Sequence, residues 1–189
     1  MGKGPDRAES RRRYDRIAAE YDRDAGQQSG RFARVVEGAR KRAVAALELR
    51  AGQTVLDVGC GTGASFARLV AAVGPTGRVV GVDQSPGMLE LASKRIAAEG
   101  WANVALVEAP VEEAALPAAD AALFFFTHDL LRTPAAFDNV LTAVRPGGRV
   151  VAAGLQRPAS WLGRLLVPVR RAMRRYVTTD EGLDRPWDL

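Results

Sequence analysis

A chain of 189 residues, 47% hydrophobic and 26% charged, is long enough for one domain with a core of its own and is too apolar for a disordered or fibrous polymer. One cysteine, Cys60, and one histidine, His128, exclude an internal disulfide, a cysteine metal cluster and a histidine-rich metal site, so no metal is expected. The formal net charge of +5 attracts anionic partners in general. The basic residues, mostly arginine, gather however in residues 7–42 and 164–175, and aromatic residues are not interleaved with them as stacking platforms, which argues against nucleic acid.

Residues 1–10 are polar and contain Gly2, Gly4 and Pro5, whereas residues 14–21 read as a short helix with Ile17 and Tyr21 four apart on one face. Gly26 and Gly30 break it. From 32 to 49 the apolar residues Phe32, Val35, Val36, Ala39, Ala43, Ala46 and Leu47 recur with a helical period, ended by Ala51 and Gly52. No apolar run reaches the roughly 18 residues of a membrane-spanning helix, and no signal-peptide core follows the basic N-terminus, so a cytoplasmic location is expected.

Short β-branched runs then alternate with helical stretches, the pattern of βαβ units and a parallel sheet. Strands are expected at 54–58, 78–83, 104–108, 121–127 and 149–153, and helices at 64–73, 86–99 and 134–144, with Pro146, Gly147 and Gly148 as a turn.

The chemistry concentrates in Val55-Leu56-Asp57-Val58-Gly59-Cys60-Gly61-Thr62-Gly63-Ala64, a strand running through a glycine-rich turn into a helix. Gly59, Gly61 and Gly63 allow close approach of a ligand to backbone amides at a helix start. Gly59, Gly61 and Ala64 also satisfy the dinucleotide fingerprint G-x-G-x-x-G/A, so the glycines alone do not choose the ligand. Asp57 helps to choose: at the strand's carboxyl end its charge repels a pyrophosphate and favours an ammonium or sulfonium. Its alternative role is to order the turn by accepting backbone hydrogen bonds. Asp83, 20 positions after Gly63, stands where a carboxylate takes the two ribose hydroxyls of an adenosine, or else caps the helix after Pro86.

These segments resemble the class I S-adenosylmethionine-dependent methyltransferases, especially the group related to the ubiquinone/menaquinone biosynthesis methyltransferases. The resemblance rests on the glycine segment, on Gly81-Val82-Asp83-Gln84-Ser85-Pro86-Gly87-Met88-Leu89, on Val144-Arg145-Pro146-Gly147-Gly148-Arg149-Val150-Val151, and on Tyr14-Asp15-Arg16-Ile17-Ala18-Ala19-Glu20-Tyr21-Asp22. It implies an α/β, Rossmann-like, mostly parallel sheet of about five strands in the order 3-2-1-4-5 with helices on both faces. It implies S-adenosylmethionine as cofactor, with Asp57, Gly59, Cys60, Gly61 and Gly63 at the methionine part and Asp83 at the ribose. Gln84 and Met88 flank the adenine, although Met88 at helical spacing with Leu89 and Leu91 also suits the core. Val111 through its backbone, or Glu112, meets the adenine amino group, and Thr127 closes the set at the end of the fourth strand.

The organisation expected is an N-terminal lid helix over residues 1–30, with Tyr14 and Tyr21 facing the acceptor, a cofactor-binding domain over 31–154, and a basic helix and tail over 155–189. The expectation is that the family's C-terminal antiparallel hairpin is missing, by truncation or divergence, and that the fifth strand is then an edge for a homodimer partner or for the helix at 159–175. That helix also suits peripheral contact with an anionic membrane through Arg164, Arg170, Arg171, Arg174 and Arg175.

Fully read, the sequence points to methyl transfer to a small-molecule acceptor by in-line displacement, which the protein promotes by alignment and by exclusion of water. His128, just past the fourth strand, is the candidate base, oriented by Asp129, or a structural histidine. Two alternatives remain: a methyltransferase-fold binding module without catalysis, and a nicotinamide-dependent oxidoreductase, which Asp57 and the lack of a Tyr-x-x-x-Lys pair oppose.

Overall fold

The computed structural model describes residues 31–154 together with Arg12, Asp15 and Arg16. The rest of the expected lid, Tyr14 and Tyr21 included, and the expected basic helix at 159–175 with its membrane contact lie outside the described residues.

In chain order the elements are α1 (Arg31–Ala46), β1 (Thr54–Val58), α2 (Phe66–Val73), β2 (Arg78–Asp83), α3 (Pro86–Glu99), β3 (Val104–Glu108), β4 (Ala119–Phe125), α4 (His128–Leu131), α5 (Pro134–Ala143) and β5 (Val144–Ala153). The strands form one sheet in the order β3-β2-β1-β4-β5, and every pairing is parallel. Parallel pairing brings the carboxyl ends of all five strands to one edge, where open α/β sheets bind ligands.

The central strands are apolar on both faces because helices cover both. Val55, Val79, Ala121 and Leu123 pack with Ala43 and Leu47 of α1, Phe66, Leu69 and Val73 of α2, and Leu89 and Ala92 of α3. On the other face Leu56, Val58, Val80, Val82 and Phe124 pack with Leu131 of α4 and with Ala136 and Val140 of α5. Each fully buried Val, Leu or Phe among them contributes about 1.5–3 kcal/mol. Pro86 starts α3, the Ser85 side chain accepts from the Met88 amide, and Gly100 ends the helix in a left-handed cap at φ 67°.

Among the boundaries that differ from the sequence expectation, three have a visible local cause. The glycine turn continues to Ser65, so α2 starts at Phe66 rather than at 64. Phe126 adopts φ 63°, a left-handed conformation that cannot continue an extended strand, so β4 stops at Phe125 and Thr127 leads into a one-turn helix opened by His128. The expected Pro-Gly-Gly turn lies within β5: Ala119 pairs with Val144 and Ala121 with Arg149, and the residues between bulge out of register. Among the described residues β4 is the sole strand neighbour of β5.

Candidate active site

The turn leaving β1 is pulled across the end of β2. The amides of Gly59 and Cys60 both donate to the Val82 carbonyl, at 2.8 and 3.0 Å, and the Gly61 amide donates to Asp83 Oδ2 at 2.9 Å. The loop glycines serve different neighbours. A Cβ on Gly59 would lie 2.5 Å from Thr127 Cγ2, whereas one on Gly61, at φ 54°, would meet nothing within 4 Å. Gly61 thus faces the open side of the edge, where a ligand can lie against the backbone.

Asp83 is half-buried and accepts with both oxygens, Oδ2 from Gly61 and Oδ1 from the Ser85 amide at 3.0 Å. It is not the cap of α3; Ser85 is. Burial pushes its carboxyl above the usual carboxylate range, against the pull of the backbone amides of Ser85 and Gly61. A carboxylate oxygen has more than one acceptor site, so both oxygens retain capacity for ligand hydroxyls. Ser85 also reaches the N-terminal segment: its hydroxyl donates to Asp15 Oδ1 at 2.5 Å, and the Gly87 amide donates to the same oxygen at 3.2 Å.

Asp57 is 2% exposed, and its Oδ2 has no hydrogen-bond partner among the described residues. A turn-ordering aspartate would spend that oxygen on backbone amides, and this one does not. Burial lifts its carboxyl to about 7, with the Arg40 charge pulling it down and Asp83 pushing it up. The Thr127 hydroxyl oxygen, on the residue against Gly59, is likewise buried without a partner among the described residues. An unpaired buried polar atom is costly unless a ligand satisfies it.

The remaining candidates divide between edge and core. Gln84 follows Asp83 at the edge and is half-buried, while Met88 is 2% exposed yet belongs to neither of the two apolar clusters. Cys60 is buried, and burial raises its thiol well above the ordinary value, which keeps it protonated and unreactive. The Ala109 amide donates to the Asp83 carbonyl at 3.1 Å, which brings the turn holding Val111 and Glu112 alongside Asp83. Val111 itself packs into the second cluster, and its carbonyl accepts from Asn139 Nδ2 at 2.6 Å. His128 stands half-buried at the first position of α4, beside Thr127. Among the described residues no group of three or more His, Cys, Asp or Glu is placed to hold a metal.

Two neighbours of this edge were not assigned to it from the sequence, Arg40 and Asp15, although Asp15 lies in the N-terminal segment that shares the resemblance. Each reaches the site through tertiary packing from an element far along the chain.

Residues 55–148 match the methyltransferase domain family. A demethylmenaquinone methyltransferase of Staphylococcus aureus is 36% identical over 124 residues, which are 63% of this chain and 50% of that protein. One of Symbiobacterium thermophilum is 29% identical over 153 residues, 78% of this chain and 59% of that protein. The chain belongs to the class I S-adenosylmethionine-dependent methyltransferases. A solved S-adenosylmethionine-dependent methyltransferase of Aquifex aeolicus, 23% identical, superimposes with a TM-score of 0.58 over 65% of this chain and 66% of its own, a likeness of fold. The chain spans about half the length of the curated relatives it matches. S-adenosylmethionine is the cofactor of the family, and the edge fits it: an unpartnered buried carboxylate oxygen for a cation, a carboxylate with acceptor capacity for hydroxyls, and open space at Gly61 between them.

Proposed function

We propose that the chain binds S-adenosylmethionine at the carboxyl edge of its sheet and transfers the methyl group to a small-molecule acceptor by in-line displacement. The observation that carries this reading is the buried, unpartnered Oδ2 of Asp57, which disfavours a phosphate ligand and suits an ammonium. The cofactor supplies a methyl group already activated on a sulfonium.

Under this reading Asp57 holds the methionyl end against the backbone of Gly59, Gly61 and Gly63, whose amides donate within the turn and to the end of β2, and Asp83 takes the ribose hydroxyls. Gln84 and Met88 border the adenine; the exclusion of Met88 from both apolar clusters supports this. The turn at Val111 and Glu112 closes the adenine side. Thr127 and His128 lie on the acceptor side, and His128 removes a proton when the acceptor is a hydroxyl or an acidic carbon.

The names of the matched relatives make demethylmenaquinone the first acceptor to test. The experiment follows formation of S-adenosylhomocysteine with that acceptor and with a panel of small phenols, amines and thiols. Turnover with any of them, lowered about 100-fold or more in His128→Gln with cofactor affinity kept, supports both the reaction and the base. Cofactor binding with no turnover across the panel favours the non-catalytic binding module.

A further inference from the structure

We propose that Phe126 determines which acceptor the enzyme takes: its ring forms the stacking wall of the acceptor subsite and selects a planar, conjugated hydroxyl compound over a saturated one. The assignment rests on the methyl-transfer reading above and names the acceptor class at that same edge.

Successive side chains of a strand point to opposite faces of its sheet. At the end of β4, Phe124 packs into the cluster beneath α4 and α5, and Phe125 packs against the cluster beneath α1, α2 and α3. Continued extended backbone would send Phe126 back to the α5 side. Instead Phe126 adopts φ 63°, and its ring lies 4.8 Å from the Phe125 ring, centroid to centroid, at an interplanar angle of 50°. Both rings therefore stand on the α1 side of the carboxyl edge. Phe125 is engaged there by the first cluster and by the Arg40 guanidinium, 4.8 Å from its centroid. Phe126 is half-buried, belongs to neither cluster, and has Phe125 as its sole ring neighbour among the described residues.

A left-handed backbone is costly for a bulky residue. The turn from β4 into α4 needs the positive φ but not the ring, because glycine would supply the same conformation without strain. Core packing does not account for the ring either, since it joins neither cluster. A strained aromatic residue at the carboxyl end of a central strand, where open sheets bind ligands, is accounted for by a ligand that meets the ring.

Its neighbours along the edge indicate which ligand. The Phe126 amide donates to the Ala153 carbonyl at 2.8 Å, which ties its backbone to the end of β5. Thr127 follows, with Cγ2 2.5 Å from where a Cβ on Gly59 would lie. Phe126 thus stands between the glycine turn and β5, across β1 from Asp83 and Gln84 at the end of β2. The adenosine end of the cofactor takes the β2 side, which leaves the β4 and β5 side to the acceptor. Thr127 keeps a buried hydroxyl oxygen without a partner among the described residues, so an apolar ring and a polar group are one residue apart. That juxtaposition suits a flat conjugated ring bearing a hydroxyl, with the ring in offset or edge-to-face contact with Phe126 and the hydroxyl at Thr127 and His128.

Calorimetry on the full chain saturated with S-adenosylhomocysteine tests this with two probes, 2-naphthol and decahydro-2-naphthol, which share a carbon skeleton and a hydroxyl and differ in conjugation. The unaltered protein should bind 2-naphthol about 3- to 10-fold more tightly than the saturated probe. Phe126→Leu keeps apolar bulk without the aromatic face; it should bring the two affinities within about twofold of each other and leave that for S-adenosylhomocysteine within about twofold of its original value. Where Phe126→Leu does not fold, Phe126→Gly, unstrained at this φ, takes its place. Phe126→Tyr keeps the ring and should keep the preference. A role in folding alone would weaken both probes alike and leave their ratio unchanged. The assignment is overturned, with the cofactor reading left in place, by no preference or no binding of either probe in the unaltered protein, by a preference that persists in folded Phe126→Leu or Phe126→Gly, or by its loss in Phe126→Tyr. Failure of the unaltered chain to bind S-adenosylhomocysteine overturns the cofactor reading and this assignment with it.

Discussion

The Gly61 amide donates to Asp83 Oδ2 at 2.9 Å, so the turn that leaves β1 is fastened to the last residue of β2. The same carboxylate thus shapes the cofactor loop and faces the ligand. Asp83→Ala removes the acceptor of two backbone amides and the ribose contact together. Cofactor affinity should fall about 10- to 100-fold and the empty protein should lose about 1–3 kcal/mol. Calorimetry and thermal melting read the two effects, and unchanged affinity removes Asp83 from the site.

Gly61→Ala and Gly63→Ala should fail in different ways. Both place a side chain at positive φ, 54° and 74°, which costs about 1–2 kcal/mol each. At Gly61 the new methyl enters open space, but at Gly63 it would lie 2.5 Å from the Phe66 ring, which adds about 1–3 kcal/mol of overpacking. Gly63→Ala should therefore melt at the lower temperature. Gly61→Ala should show the larger loss of cofactor affinity relative to its loss of stability. The reverse ranking by melting and calorimetry would contradict these assignments.

Asp57 should make both stability and binding depend on pH, with opposite signs. Its pKa is raised from 3.8 to about 7, first by burial, with Arg40 opposing and Asp83 reinforcing. The stability it contributes to the empty protein is full below its unfolded value and is lost as pH rises through about 7, an effect of at most about 4 kcal/mol. Asp57→Asn should flatten that decline and melt higher than the unaltered protein at pH 8. A cationic ligand requires the ionised form. Affinity for S-adenosylhomocysteine should therefore rise roughly tenfold per pH unit up to about pH 7 and level above it, and Asp57→Asn should abolish the slope.

Asp15 accepts from Ser85 Oγ at 2.5 Å and from the Gly87 amide at 3.2 Å, and Ser85 in turn donates its own amide to Asp83. A ligand that orders Asp83 should thus strengthen the hold of the following loop on the N-terminal segment. Saturating S-adenosylhomocysteine should slow proteolysis within residues 1–30, and Asp15→Ala should lose most of that protection with cofactor affinity within about threefold. Equal cleavage rates with and without ligand in the unaltered chain would exclude the coupling.

How much of this was legible follows from where the residues sit in the chain. Asp57, the glycine turn and Asp83 are set by one βαβ unit, so their offsets carry the geometry, and the strand order followed from the resemblance those segments support. Arg40 and Asp15 join the site only because α1 packs on the β1 and β4 face and because the N-terminal segment meets the start of α3, the latter contact spanning 70 residues. No local pattern places either at the site. The left-handed Phe126 was illegible for another reason: a phenylalanine gives no signal for positive φ, and the run Phe124-Phe125-Phe126 reads as unbroken strand. The roles of Gly63 and Gly81 were partly hidden as well. Cβ atoms at these positions would lie 2.5 and 2.6 Å from the Phe66 ring, so both glycines serve packing beneath the loop, whatever ligand lies above it.

The central claim is that this edge holds a nucleoside carrying an amino acid and not a dinucleotide. Titrating the full chain by calorimetry with S-adenosylhomocysteine and, separately, with NAD tests it most directly. The account predicts saturable one-to-one binding of S-adenosylhomocysteine that Asp57→Asn weakens by about tenfold or more, and no measurable heat with NAD. Binding of NAD in preference, or S-adenosylhomocysteine binding that is indifferent to Asp57→Asn, would contradict it.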